Sequence, residues 1–184
     1  MSEELTGKRV AFLVANSGVE QVELTTPWQA LRDAGAETVL IAPEKDTVQA
    51  FNHDVEPGDT FDPDLAVTDA VSADYDALVL PGGTTNPDKL RMDVEAVSFV
   101  KDFADAGKPV AAICHGAWTL VEAGVLEGKT LTSWPSLHTD IVNAGGAWQD
   151  VESFTCTAND WTLVTSRNPG DLPAFTRAAI DAFA

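Results

Sequence analysis

Residues 107–116 read Gly-Lys-Pro-Val-Ala-Ala-Ile-Cys-His-Gly, and this stretch decides the fold. Pro109 to Ile113 is a short apolar run of the kind that forms a strand buried on both faces of a parallel sheet. It passes directly into Cys114-His115-Gly116, from which a helix is predicted to about Ala123. A strand that turns into a helix through a nucleophile-type residue, with small residues two positions before and after it, is a nucleophile elbow carrying Cys in place of Ser. Ala112 and Gly116 are those small residues. The tight turn brings neighbouring backbone against the nucleophile and leaves no room for larger side chains there.

The same alternation extends in both directions. Lys8 to Ala15, Glu37 to Ala42 and Asp76 to Leu80 are further buried-strand candidates, and the last runs into Pro81-Gly82-Gly83. Helical stretches are predicted from about Val19 to Ala34, ending at Gly35, and from Val94 to Ala106, ending at Gly107. Thr47 to Pro63 reads as a hairpin or long loop. Beyond the elbow come a short helix over Pro135 to Ala144, strands over Ser153 to Thr157 and Trp161 to Ser166, and a terminal helix from Leu172 to Ala184. Alternating strands and helices with apolar strands predict an α/β fold, a mostly parallel sheet covered by helices on both faces. No repeats, low-complexity tracts or linkers interrupt it, so one domain over residues 1–184 is expected. A ligand site is expected beyond the carboxyl ends of the strands, where the strand order switches.

Composition narrows the function classes. The chain has 184 residues with 29 Asp plus Glu against 11 Lys plus Arg, a formal charge of −18. Such a surface repels nucleic acid phosphates and anionic lipid, so neither is an expected partner. The apolar run Val10 to Ala15 is too short to span a bilayer, and Glu3 and Glu4 stand where a signal peptide would carry basic residues, which predicts a cytoplasmic protein. The acids are dispersed and Lys is scarce, which suggests adaptation to high salt, a halophilic source. The two cysteines do not make a disulfide framework. No His or Cys pair has zinc spacing, so no metal or other cofactor is expected.

Cys114 is the candidate nucleophile. A helix N-terminus behind it favours the thiolate and predicts a lowered pKa. The His115 amide would point to where an oxyanion forms, and its imidazole could exchange protons. Gly82 and Gly83 could bring backbone N–H groups up to a ligand. Glu20 admits two readings. Ser17-Gly18-Val19-Glu20 matches a capping box, with Glu20 at its third helical position; alternatively, a protonated Glu20 could donate to the thiolate. Glu23 reads as a solvated or supporting carboxylate. His53 and His138 read as surface residues, and Cys156 as filler. Trp134, just before Pro135, sits on a loop that could overhang the site.

With these residues assembled, the chain resembles the PfpI-like intracellular protease and deglycase family, within the superfamily that includes the parkinsonism-associated deglycase. The resemblance rests on Val19-Glu20-Gln21-Val22-Glu23-Leu24, Asp76 to Gly83, Gly107 to Gly116, Asn143-Ala144-Gly145 and Thr165-Ser166-Arg167. It implies a flavodoxin-like three-layer α/β/α sandwich, related to class I glutamine amidotransferases, assembling as a homodimer and sometimes a hexamer. It implies Cys114 as nucleophile, His115 beside it, Glu20 as the acid near the thiol, and the amides of Gly83 and His115 as oxyanion donors. An acid given by the neighbouring subunit to orient the histidine maps onto Asp88, one methylene shorter than the Glu of other members. The pocket aromatic, often Tyr, maps onto Trp134.

The implied activity is attack of Cys114 on a carbonyl, either as a glyoxalase or deglycase acting on methylglyoxal and glycation adducts in stress protection, or as a cysteine peptidase. A redox sensor or chaperone using Cys114 oxidation is the alternative. A glutamine amidotransferase would need a downstream His-x-Glu, which the sequence lacks.

Overall fold

The computed structural model describes residues 4–184, so Glu3 of the acidic lead-in lies outside them. The predicted alternation is present. In chain order the first half holds β1 (Arg9–Leu13), β2 (Ser17–Glu20), α1 (Gln21–Asp33), β3 (Glu37–Ala42), β4 (Val48–Asn52), β5 (Glu56–Phe61), β6 (Leu65–Ala66) and β7 (Ala77–Leu80). The second half holds α2 (Thr85–Leu90), α3 (Val94–Asp105), β8 (Val110–Ile113), α4 (Ala117–Ala123), β9 (Thr130–Leu131), α5 (His138–Asn143), β10 (Ala147–Trp148), β11 (Ser153–Cys156), β12 (Leu163–Ser166) and α6 (Leu172–Phe183).

A seven-stranded sheet in the order β11-β12-β8-β7-β1-β3-β6 forms the middle layer. All its pairings are parallel except β11 with β12 at one edge. The strand pleat sends alternate residues to opposite faces. Val10 and Phe12 of β1 therefore pack with Leu24 and Leu31 of α1 and Phe175 and Phe183 of α6. Ala11 and Leu13 pack with Phe99 and Phe103 of α3 and Leu120 of α4. The result is the expected three-layer α/β/α sandwich.

From β1 the chain moves to β3 on one side, and later strands β7, β8 and β12 fill the other side. The order reverses between β1 and β7, so their carboxyl ends splay apart into a crevice. Gly82, Gly83 and Cys114 lie just past the ends of β7 and β8 at this crevice.

Two local expectations are corrected. The segment Ser17–Glu20 is a strand, paired in parallel with β4, and α1 starts only at Gln21. No capping box forms: Glu20 occupies the N-cap position in extended conformation and its side chain caps nothing. After the double glycine, Thr84 is the N-cap residue of a short helix, α2, in which Pro87 falls in the first turn and so interrupts no intrahelical bond. The Thr47 to Pro63 segment is a hairpin, β4 with β5, that joins β2 in a small three-stranded sheet. That sheet carries its turn, Asn52 to Glu56, to the crevice.

Candidate active site

The elbow forms as its sequence predicts. Cys114 has φ +60°, left-handed backbone that a non-glycine residue adopts at a cost of about 1–3 kcal/mol. The strand before it and the turn leading into α4 hold this conformation, and Trp134 N–H donates to the Cys114 carbonyl at 3.1 Å. The requirement for small neighbours is steric. A Cβ on Gly116 would stand 2.4 Å from the Leu80 carbonyl oxygen. One on Gly82 would stand 2.3 Å from Glu23 Oε2 and 2.7 Å from Cys114 Cβ. One on Gly83 would stand 2.3 Å from the Gly18 carbonyl oxygen, and its φ of +82° favours glycine independently.

The amides of Gly83 and His115 both donate towards Cys114 Sγ. The double-glycine turn that supplies one of them is stitched to the end of β1 by Asn86, which is completely buried. Asn86 Oδ1 accepts from Ala15 N–H at 2.6 Å, and its Nδ2 donates to the carbonyls of Pro81 and Gly82 at 3.0 Å.

The carboxyl on the thiol is Glu23, not Glu20. Because α1 starts at Gln21, Glu23 sits in its first turn on the buried face, with Leu24, Pro27 and Leu31. Its Oε2 accepts from Gly82 N–H at 2.9 Å, and Oε1 is sealed from solvent without a conventional partner. The Cys114 thiol interacts with this carboxyl. Burial pushes Glu23 up to about 8, so the carboxyl keeps its proton at neutral pH.

Glu20 also borders the pocket, but its two oxygens accept the backbone N–H groups of His53 (3.1 Å) and Asp54 (3.3 Å). Its carboxylate therefore holds the hairpin turn and is not the acid at the thiol. The extension of β2 to Glu20 aims that side chain at the hairpin.

The expected lowering of the Cys114 pKa is also corrected. Burial raises it first and the neighbouring Glu23 charge adds to this, while the amides of His115 and Gly83 oppose both. Two acids in contact cannot both ionise easily, so once one proton is lost the pair shares the other.

His115 is buried, with Nδ1 3.3 Å from Cys114 Sγ. Its ring stacks on Trp134, centroids 5.6 Å apart, and tilts against Trp118 at 5.2 Å. Burial lowers its pKa and the Asp54 charge works against that, leaving a neutral imidazole at pH 7. Asp88 lies exposed on α2 and does not line the pocket of its own chain.

The pocket holds about 240 Å³ and is lined by Glu20, Glu23, His53, Asp54, Gly83, Cys114, His115, Trp134 and Pro169. His53 and Asp54 were not legible from sequence. Both have positive φ, +54° and +65°, in the turn of the hairpin. Asp54 anchors that turn by accepting from Thr84 N–H at 2.7 Å and Thr84 Oγ1 at 3.0 Å. A larger open groove of about 900 Å³, reaching from Asp105 to Asp160, is lined by neither cysteine nor histidine. Among the described residues, no group of three or more His, Cys, Asp or Glu is placed to hold a metal ion, and no helix is long and apolar enough to cross a membrane.

Residues 8–182 match the DJ-1/PfpI family. The chain belongs to that family. It is 42% identical over 169 residues to a deglycase of Pyrococcus abyssi, covering 92% of this chain and 95% of the relative. To protein/nucleic acid deglycase 2 of Escherichia coli it is 38% identical over 174 residues, covering 94% and 96%. Among solved structures, Drosophila melanogaster DJ-1beta superposes with a TM-score of 0.82 at 27% identity, covering all of this chain and 91% of the other. This DJ-1/PfpI chain thus carries the family fold over nearly its whole length, with the Cys114 elbow at its switch point.

Proposed function

We propose that this DJ-1/PfpI protein is a cysteine-nucleophile enzyme acting in the cytoplasm on small carbonyl compounds, methylglyoxal or its early adducts with amines and thiols. The observation that carries the reading is the cluster around Cys114 Sγ: two backbone amides, a protonated Glu23 and a neutral His115 around one thiol in a pocket of about 240 Å³. That volume suits a molecule of a few heavy atoms better than an extended peptide.

Neutral His115, its Nδ1 3.3 Å from the sulfur, takes the thiol proton, and Cys114 Sγ attacks the aldehyde carbon as a thiolate. The C–S bond forms, the carbonyl π electrons move to oxygen, and that oxygen is stabilised by the amides of Gly83 and His115. Protonation from Glu23 or His115 gives the thiohemiacetal. Removal of the proton from the former aldehyde carbon and its return to the neighbouring carbon yields a lactate thioester, and water then releases lactate and the thiol. In an amine adduct the same attack transfers the dicarbonyl fragment to sulfur and frees the amine. A homodimer or larger ring, in which a second chain brings Asp88 to His115, belongs to this reading.

The test is lactate formation from methylglyoxal, run beside peptide hydrolysis, for the wild type and for Cys114→Ser and Glu23→Gln. Both variants are expected to lose methylglyoxal turnover by at least about a hundredfold. Full turnover in Cys114→Ser would overturn the nucleophile, and Cys114-dependent peptide hydrolysis without lactate would favour the peptidase arm. Mixing Asp88→Ala with Cys114→Ser chains should restore part of the activity, whereas a strictly monomeric active protein removes Asp88 from the site.

A further inference from the structure

The pocket around Cys114 is lopsided in charge. Glu20, Glu23 and Asp54 line it, and neither lysine nor arginine does. Glu23 is held neutral, which leaves Glu20 and Asp54 to set the field over the thiol. Both are built in. The Glu20 carboxylate is buried and fixed by the amides of His53 and Asp54. Asp54 is fixed by Thr84 from the other wall of the pocket. The charge of Asp54 reaches both His115 and Glu23, the two groups in contact with Cys114. At the bottom, the Glu23 carboxyl is buried against the Cys114 thiol.

We propose that the hairpin turn carrying Asp54, backed by Glu20, is a charge filter: it admits uncharged or cationic carbonyl compounds to Cys114 and turns away those bearing a carboxylate or phosphate. This selectivity rests on the reading of Cys114 as a nucleophile towards carbonyls and adds the class of substrate. An α-oxo aldehyde or a guanidinium or ammonium adduct fits; an α-oxo acid of the same size meets the Asp54 and Glu20 carboxylates. Asp54 and Glu20 are specificity residues here and take no part in bond making.

The filter can be read without any turnover, by modifying the thiol with two reagents of nearly equal size. Cys114 is alkylated with neutral iodoacetamide and anionic iodoacetate, and the rate at the Cys114 peptide is followed by mass spectrometry. A free cysteine peptide gives the intrinsic ratio of the two reagents. Molar salt is used throughout, because it shortens the screening length to about 3 Å and removes the field of the distant acidic coat. The neutral-to-anionic rate ratio at Cys114 is expected to exceed that of the peptide by roughly tenfold. Asp54→Asn should shrink that excess by roughly three- to tenfold, and Glu20→Gln by a comparable factor.

Asp105→Asn, at the far end of α3, is a charge control and should leave the ratio unchanged. A wild-type ratio equal to that of the free peptide overturns the proposal, as does an equal response to Asp54→Asn and Asp105→Asn. Should Asp54→Asn misfold, the wild-type ratio and Glu20→Gln still decide. Loss of the proposed catalysis is a separate result: a protein without methylglyoxal turnover but with a large, Asp54-dependent ratio keeps the filter and loses the reaction.

Discussion

A proton held by Glu23 at neutral pH has consequences for stability as well as reactivity. The folded chain keeps it up to about 8, against an ordinary value of 4.5. Between those values the unfolded chain has released the proton and the folded chain has not, so stability falls as pH rises through the window and levels off above it. Glu23→Gln has no proton to lose, and its amide can still donate towards sulfur. It should therefore be more stable than wild type at pH 8, by on the order of a few kcal/mol, and close to it at pH 5. Denaturant midpoints at the two pH values check this, and parallel slopes for the two proteins would remove Glu23 from the window. The same variant should shift alkylation of Cys114 to lower pH, because the carboxylate that raises the thiol is gone. Glu20→Gln should leave that alkylation profile in place and instead speed amide exchange at His53 and Asp54, whose acceptor it weakens. Equal effects of the two variants on the alkylation profile would contradict the assignment of Glu23 as the acid at the thiol.

At the scale of elements, the site depends on three turns at the carboxyl ends of neighbouring strands, and each tolerates little change. Gly82→Ala places a methyl 2.3 Å from Glu23 Oε2 and 2.7 Å from Cys114 Cβ, inside the hydrogen bond that seats the acid. The expected result is a loss of about 2–4 kcal/mol of stability and near-complete loss of turnover, read by thermal melt and lactate assay. Alanine at Gly124, where no atom lies within 4 Å, has only its left-handed φ of +69° to overcome and should cost about 1 kcal/mol while sparing activity. How much of this was legible follows from the same geometry. The turns after β7 and β8 announce themselves because an apolar strand ends abruptly in glycine or in Cys-His-Gly. The acid did not, because Ser17 to Glu20 imitates a capping box and so draws the helix start about two residues too early. The overlooked signal was spacing: Glu23, Pro27 and Leu31 recur every four residues, which places a carboxyl on the buried stripe of α1. The His53–Asp54 turn had no such signal. Its place in the pocket depends on a hairpin folding across β2 and on the long-range grip of Glu20 and Thr84, none of which local patterning encodes. Helix α2 was hidden by Thr-Thr-Asn-Pro, residues that favour turns until Asn86 is buried as a backbone bridge.

For the molecule as a whole, the unbalanced charge is the property that solution conditions can change most. With 29 acids and 11 lysines and arginines, at least eighteen carboxylates have no basic residue to pair with one to one. Two of the available cations are already doubly engaged: Arg167 holds Asp150 and Asp171, and Arg177 holds Glu4 and Asp181. The remaining carboxylates repel one another over the surface, and unfolding relieves that repulsion by spreading the chain. Salt screens it, shortening the screening length from about 30 Å at 0.01 M to about 3 Å at 1 M. The melting temperature should accordingly rise by roughly 10 °C or more between these limits with sodium chloride, and by a similar amount with potassium chloride if screening is the cause. Sulfate salts would stabilise further through the apolar core, so the chloride series isolates the electrostatic part. The buried Glu23–Cys114 pair lies beyond the reach of this screening. Its alkylation pH profile should therefore move little over a range of salt that changes global stability substantially. A chain whose melt is indifferent to chloride would place the acidic coat outside the stability balance altogether. A profile that shifts in step with the melt would mean that the surface field reaches the thiol, and that Glu23 is not its controlling neighbour.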